Sequence, residues 1–272
     1  MVLPDFIICG AIKGGTTTLS AYLRQHPEVF MIPREVHFFS IKYSFGLKWY
    51  ESRFQGYTNQ KIFGEKSPEY MLSKAISKRI FNNLPNIKLI FILRNPVERA
   101  YSHYWMAISD GRIKIPSFRN FLLNKENFYL KCGLYAQQLK PFLDQFPRDN
   151  ILILLSEEFR YNTKEVLKRV LKFIGVTNIP FQYKKRNIRG GARRSYYISI
   201  LVRYIDKTRD KIPIRFIYKI LSKLMVNINR FNKKKRYPPM KDFIRKRLEE
   251  FYRESNKELK ELIDLDIDKW WK

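Results

Sequence analysis

The sequence predicts an α/β protein built on a doubly wound parallel sheet flanked by helices. Three observations carry this reading. Short, continuous apolar runs at Phe6-Ile7-Ile8-Cys9, Lys88-Leu89-Ile90-Phe91-Ile92-Leu93 and Ile151-Leu152-Ile153-Leu154-Leu155 are of the kind buried on both faces, as parallel strands are. Helical patterns alternate with them, and parallel strands need such crossovers. The first run ends in a Gly/Lys/Thr cluster that opens directly into a helix. In such folds the ligand lies at the carboxyl ends of the strands.

The elements follow in order. A strand at 6–10 leads through the Gly-rich turn to a helix at 16–25, which stops before His26-Pro27. A connection through Phe30-Met31-Ile32-Pro33 reaches Glu35-Val36-His37-Phe38-Phe39, read as extended chain with Glu35 and His37 on one side. Residues 46–54 read as helix, and Ile62-Phe63-Gly64-Glu65-Lys66 as a short strand running into a turn. A helix at 73–83 ends at Leu84-Pro85-Asn86. The strand at 88–93 is followed by a helix at 97–109. Residues 117–145 read as mostly helical, with Gly133-Leu134-Tyr135 opening the second piece. After the strand at 151–155, Ser156-Glu157-Glu158 begins the helical stretch of 163–174, with Gly175 as its stop.

Gly10-Ala11-Ile12-Lys13-Gly14-Gly15-Thr16-Thr17-Thr18 is suited to binding phosphate. Glycines allow close backbone approach, first-turn N–H groups converge on an oxyanion, and the helix dipole favours negative charge. Lys13 and the hydroxyls of Thr16, Thr17 and Thr18 add further donors. A Walker A loop is the rival, but Lys13 precedes the glycine pair and no Gly-Lys-Ser/Thr triplet occurs. The strand at 88–93 ends in Arg94-Asn95-Pro96, a cation where a nucleotide hydrolase needs an Asp for Mg²⁺. An arginine there suits a second phosphate held without metal. A ligand-free glycine turn is the bland alternative for the loop taken alone.

Lys13-Gly14-Gly15-Thr16-Thr17 resembles the 5′-phosphosulfate loop of sulfotransferases that use 3′-phosphoadenosine-5′-phosphosulfate (PAPS). The run Leu89 to Tyr104 resembles the same family's 3′-phosphate site, which implies Arg94 and Ser102 as its ligands. Arg34-Glu35-Val36-His37-Phe38-Phe39 and Gly64-Glu65-Lys66-Ser67-Pro68-Glu69-Tyr70 are similar to segments of the heparan sulfate branch and its bacterial relatives. Lys233-Lys234-Lys235-Arg236-Tyr237-Pro238-Pro239-Met240 is similar to that branch's nucleotide-clamping loop, which implies Lys233, Lys235 and Arg236 at the nucleotide. The matches run in family order across nearly the whole chain. The resemblance implies a P-loop-like sulfotransferase fold and a single domain over 1–272. It also implies transfer of a sulfuryl group from PAPS to a hydroxyl or amine of a glycan, glycolipid or small molecule, without a metal.

Such a transfer needs cations at the leaving oxygen and a base facing the sulfur. Lys13 is the first candidate cation and Lys66 the second. Glu35 resembles the family's general base. His37 either orients it or the acceptor, or is itself the base, while Glu65 ranks behind Glu35. A surface role for Glu35 and a core role for His37 are the plain alternatives. Two departures separate the chain from members that sulfate heparan: Ser40 stands where some carry an acid after Phe-Phe, and the paired cysteines before the basic loop are missing. Cofactor binding is expected to survive both; a heparan-type acceptor is not implied.

Bulk properties fit one enzyme of 272 residues, with 45% hydrophobic and 15% aromatic residues arguing against disorder. The chain enters its first strand without a signal-peptide pattern, and no apolar run reaches the ~18 residues of a membrane span. Cys9 and Cys132 read as free thiols in a reducing compartment. A cytoplasmic location is therefore expected. The formal charge of +28 is concentrated at 184–236. There Ile214, Ile217, Tyr218, Leu221, Leu224, Met225 and Ile228 recur at helical spacing beside Lys219 and Lys223. Such a basic helical segment either packs on the core or lies on an anionic membrane. No helix-turn-helix, RNP or zinc-ligand pattern supports nucleic-acid binding. A nucleotide- or polyanion-binding protein without catalysis is the alternative function.

Overall fold

Five short strands form one parallel sheet in the order β2-β3-β1-β4-β5: β1 (Phe6–Gly10), β2 (Val29–Met31), β3 (Ile62–Lys66), β4 (Lys88–Leu93) and β5 (Ile151–Leu155). The computed structural model describes residues 2–57, 59–110, 112, 127–181 and 237–270. These fall into two compact units. The first lies within Met1–Arg99, Lys131–Lys185 and Phe251–Lys272, the second within Ala100–Leu130 and Arg186–Glu250. The sheet belongs to the first.

Alternation along the central strands explains why both faces are covered. Ile7, Cys9, Leu89, Phe91, Leu93, Ile151 and Ile153 point to one face, whereas Phe6, Ile8, Ile90, Ile92 and Leu154 point to the other. The first face meets α4 (Lys74–Asn83) and α7 (Tyr135–Leu143) through Ile76, Ile80, Tyr135, Leu139 and Phe142. The second meets α1 (Thr16–Leu23) and α9 (Thr163–Ile174) through Leu19, Leu23, Val166, Leu167, Val170, Leu171 and Ile174. Each such side chain, fully buried, contributes roughly 1.5–3 kcal/mol of transfer free energy. The doubly wound sheet expected from the sequence is thus the observed one.

The sheet edge and several boundaries differ from the expectation. Val29–Met31 is a strand, pairing Val29 with Ile62 and Met31 with Gly64, where the sequence suggested only a connection. Ser156–Tyr161 is a helix of its own, α8, separate from α9. Gly175 ends α9 at φ 85°, a left-handed cap that glycine adopts without steric cost. Among the described residues the remaining helices are α2 (Phe38–Ile41), α3 (Gly46–Glu51), α5 (Pro96–Ser109), α6 (Phe128–Lys131) and α10 (Asp242–Leu262). α10 had no sequence assignment, yet Ile244, Leu248, Tyr252 and Leu259 are buried at helical spacing. In the second unit Tyr101 donates to the Pro238 carbonyl at 2.9 Å, and Trp105 stacks on Tyr237. Among the described residues no helix is long and apolar enough to cross a membrane.

Candidate active site

β1 and β3 run in parallel with Ile8 in register with Lys66, so the phosphate-loop side of β1 and the Glu65-Lys66-Ser67 turn emerge from the same end of the sheet. After β1 the chain turns through Lys13 at φ 69° and Gly15 at φ 116° before entering α1. Gly14 is buried, and a Cβ there would overlap the Ile92 carbonyl. The turn can therefore be lined by backbone but not by a side chain at that position. Thr16 and Thr17 open α1, where helix geometry leaves N–H groups without intrahelical partners. Thr16 is buried; Thr17 is exposed.

Lys66 links this loop to the segment before α2. Its side chain is 8% exposed, and its ammonium donates to Glu35 Oε1 and lies 3.5 Å from Thr17 Oγ1. Glu35 Oε2 is 3.6 Å from His37 Nε2. The other ring nitrogen, Nδ1, meets Glu69 Oε1 at 2.5 Å. Phosphate loop, lysine, carboxylate, imidazole and second carboxylate thus form one continuous chain of polar groups. The extended reading of Glu35–His37 is corrected here: the segment is not strand, and His37 sits at φ 60° as the residue preceding α2. His is among the residue types that tolerate the left-handed region. Its backbone N–H donates to Ser67 Oγ at 3.1 Å, which holds this turn against the end of β3.

The electrostatics follow from these contacts. The hydrogen bond and charge of Glu69, with Glu35 beyond, raise the His37 pKa above its ordinary value despite partial burial. Burial pushes Glu69 up, but the hydrogen bond and charge of His37, with hydrogen bonds from the backbone and Ser40, together leave the carboxyl below its usual range. Glu65 differs from both. It is completely buried, accepts from Tyr50 OH at 2.7 Å and from Ser67 Oγ at 3.0 Å, and desolvation raises its pKa to about 7. It supports the turn from beneath and does not reach the surface. Glu35, His37 and Glu69 bring one donor atom each within 4.8 Å of one another. Of these groups His37 and Glu69 are hydrogen-bonded to each other, and Glu35 is paired with Lys66.

Arg94 follows β4 and is half-buried, its guanidinium 3.9 Å from Glu98. Its carbonyl accepts from Tyr135 OH at 2.9 Å, which fixes the strand end. Ser102 is half-buried on α5, in the second unit. Lys233, Lys235, Arg236 and the basic stretch 184–236 lie outside the described residues, as do 117–126 of the expected helical stretch 117–145. Within the first unit, Lys66, Glu35 and His37 are brought together as the sequence suggested. Glu69 had no assigned role, although a carboxylate two residues beyond Ser67 in the turn after Lys66 was a visible signal.

A sheet of this order with a glycine-rich loop at the end of β1 and a cation after β4 defines a phosphate-binding α/β fold. The sulfotransferase domain family matches residues 3–188, and the chain belongs to that family. It is 35% identical over 185 residues to heparan sulfate glucosamine 3-O-sulfotransferase 3B1 of Mus musculus, covering 65% of this chain and 47% of that protein. It is 34% identical over 183 residues to heparan sulfate glucosamine 3-O-sulfotransferase 6 of Homo sapiens, covering 65% and 53%. The chain thus spans about half the length of the curated relatives it matches. The crystal structure of a sulfotransferase from Alicyclobacillus acidocaldarius superimposes with a TM-score of 0.75, at 25% identity and full coverage of both chains.

Proposed function

We propose that the chain transfers a sulfuryl group from PAPS to a hydroxyl or amine of a glycan, glycolipid or small-molecule acceptor, with Glu35 as general base. The observation that carries the reading is the position of Lys66, which joins Glu35 to Thr17 of the phosphate loop. A base and a loop made for an anion thereby share one cation. A glycan acceptor is the leading class, since the relatives at 34–35% identity are named for glucosamine sulfation.

The loop residues fit the donor. The buried Gly14, the positive φ at Gly15 and the first turn of α1 favour backbone N–H donation to an anion. Lys13, Gly14, Gly15, Thr16, Thr17 and Thr18 would hold the 5′-phosphosulfate, and Arg94 the 3′-phosphate. When bound, PAPS supplies the sulfuryl group together with a stable bisphosphate leaving group. Lys13 and Lys66 place positive charge where anionic charge develops. Glu35 takes the acceptor proton through the oxygen that faces His37, while Lys66 stays on the other oxygen. His37 orients that carboxylate.

Labelled PAPS incubated with heparan sulfate, glycolipid and small-molecule phenol or amine pools tests the reading. Label transferred to any acceptor supports catalysis, whereas tight binding of adenosine 3′,5′-bisphosphate without transfer would favour the non-catalytic alternative. Preference for ATP with Mg²⁺ over metal-free bisphosphate would overturn the sulfotransferase reading. Cytoplasmic localisation, with peripheral membrane contact through 184–236, is part of the same proposal.

A further inference from the structure

Resting on the proposed sulfotransferase reading, we propose that Glu69 is a positioning residue for the reaction: it holds His37 by Nδ1 so that Nε2 faces Glu35, and Ser40 holds Glu69 in turn. The geometry is specific. His37 Nδ1 and Glu69 Oε1 are 2.5 Å apart, while the opposite ring nitrogen stands 3.6 Å from Glu35 Oε2. With its Nδ1 proton donated to Glu69, the ring is fixed in tautomer and rotation, and Nε2 is the atom left to the reacting side. Ser40 Oγ lies 3.0 Å from the same Glu69 oxygen and 3.1 Å from the His37 carbonyl, closing a ring of contacts around the imidazole.

Each member of that ring is independently anchored. The carbonyls of Phe39 and Ser40 both accept from Arg79 Nη1, at 2.9 and 3.1 Å, which pins the end of α2. Glu69 lies in the 3₁₀ turn Pro68–Leu72 directly after β3, so its carboxylate is carried by the strand that supplies Lys66. His37 is held from its backbone by Ser67. The charges facing the imidazole are Glu69 and Glu35, opposed by Lys42, with Lys66 on the far side of Glu35. Two carboxylates at opposite ring nitrogens favour the imidazolium, and that positive charge keeps Glu35 in the ionised form that a general base requires. Glu69 itself is removed from Glu35 by the width of the ring and acts through it. A purely structural carboxylate needs no imidazole between itself and the base.

The test compares Glu69→Gln and Ser40→Ala with wild type. Side-chain ¹⁵N NMR of His37 should show its titration midpoint lowered by about 1 unit in Glu69→Gln, with a mixed tautomer in the neutral form, and a smaller shift the same way in Ser40→Ala. With PAPS and whichever acceptor pool accepts label, kcat should fall roughly 10–10²-fold with KM nearly unchanged. The Kd for adenosine 3′,5′-bisphosphate should stay within about twofold, since Glu69 is not in the loop. An unchanged His37 midpoint and tautomer in Glu69→Gln overturns the proposal, as does a shifted midpoint with undiminished kcat. If wild type transfers no label to any pool, the sulfotransferase reading fails, while the NMR titration still decides whether Glu69 holds His37.

Discussion

Glu35 directs its two carboxylate oxygens at different partners, Oε1 at Lys66 and Oε2 at His37, and this division suits a base that must keep a counter-cation while accepting a proton. Glu35→Gln preserves size but cannot take the proton, so turnover should fall by roughly 10²–10⁴ with bisphosphate affinity nearly intact. Radiolabel transfer and calorimetry check the two halves; near-normal turnover would move the role to His37. Glu65 makes a different prediction. Its folded pKa of about 7 lies above the ordinary glutamate value of 4.5, so the folded state binds more protons than the unfolded between these pH values. Its contribution is fully present below pH 4.5 and is lost as pH rises through 7. Glu65→Gln should therefore lose less stability than wild type between pH 5 and 8, by on the order of 3 kcal/mol, measured by urea unfolding. At this scale the proximity of Glu35, His37 and Lys66 was legible because each stands in a short, distinctive segment. Glu69 stood in such a segment too, but nothing local marked it off from Glu65, and only the fold sets it against His37.

At the scale of elements, the loop after β1 depends on the end of β4. Gly14 packs against the Ile92 carbonyl, and the Ala11 N–H donates to that same carbonyl at 3.0 Å. Gly14→Ala must push the loop off β4. It should weaken bisphosphate binding and lower stability by about 1–3 kcal/mol, as read by titration calorimetry and thermal melting. Strands β1, β4 and β5 were readable from apolar runs bounded by turn residues, and β3 from Ile62-Phe63 leading into the Gly64-Glu65-Lys66 turn. β2 was not: it is three residues long, too short for a period-two pattern, and is a strand only because Val29, Phe30 and Met31 pair with β3. α10 was missed for the opposite reason. Its 21 residues are dense in charge, which hides the spaced apolar positions at Ile244, Leu248, Tyr252 and Leu259.

For the whole molecule, a charge of +28 makes long-range attraction to polyanions the dominant bulk property. If 184–236 docks on membrane, the protein should co-sediment with anionic vesicles at low salt and release as salt screens the charge. Charge reversal at Lys219 and Lys223 should abolish that binding while bisphosphate affinity holds. No binding at low salt would assign the segment to core packing. By itself the sequence determined the strand–loop–helix alternation, the glycine-rich turn after β1 and the segments that carry Glu35, His37 and Lys66. Those signals are local: apolar runs, glycine positions and helix stops each depend on neighbours a few residues away. Only the tertiary structure decided which charges meet. Parallel register sets Lys66 beside Ile8, the left-handed backbone at His37 turns its ring between Glu35 and Glu69, and burial under Tyr50 withdraws Glu65 from the reacting side. These are long-range pairings, fixed by packing of the sheet and its turns rather than by any one segment.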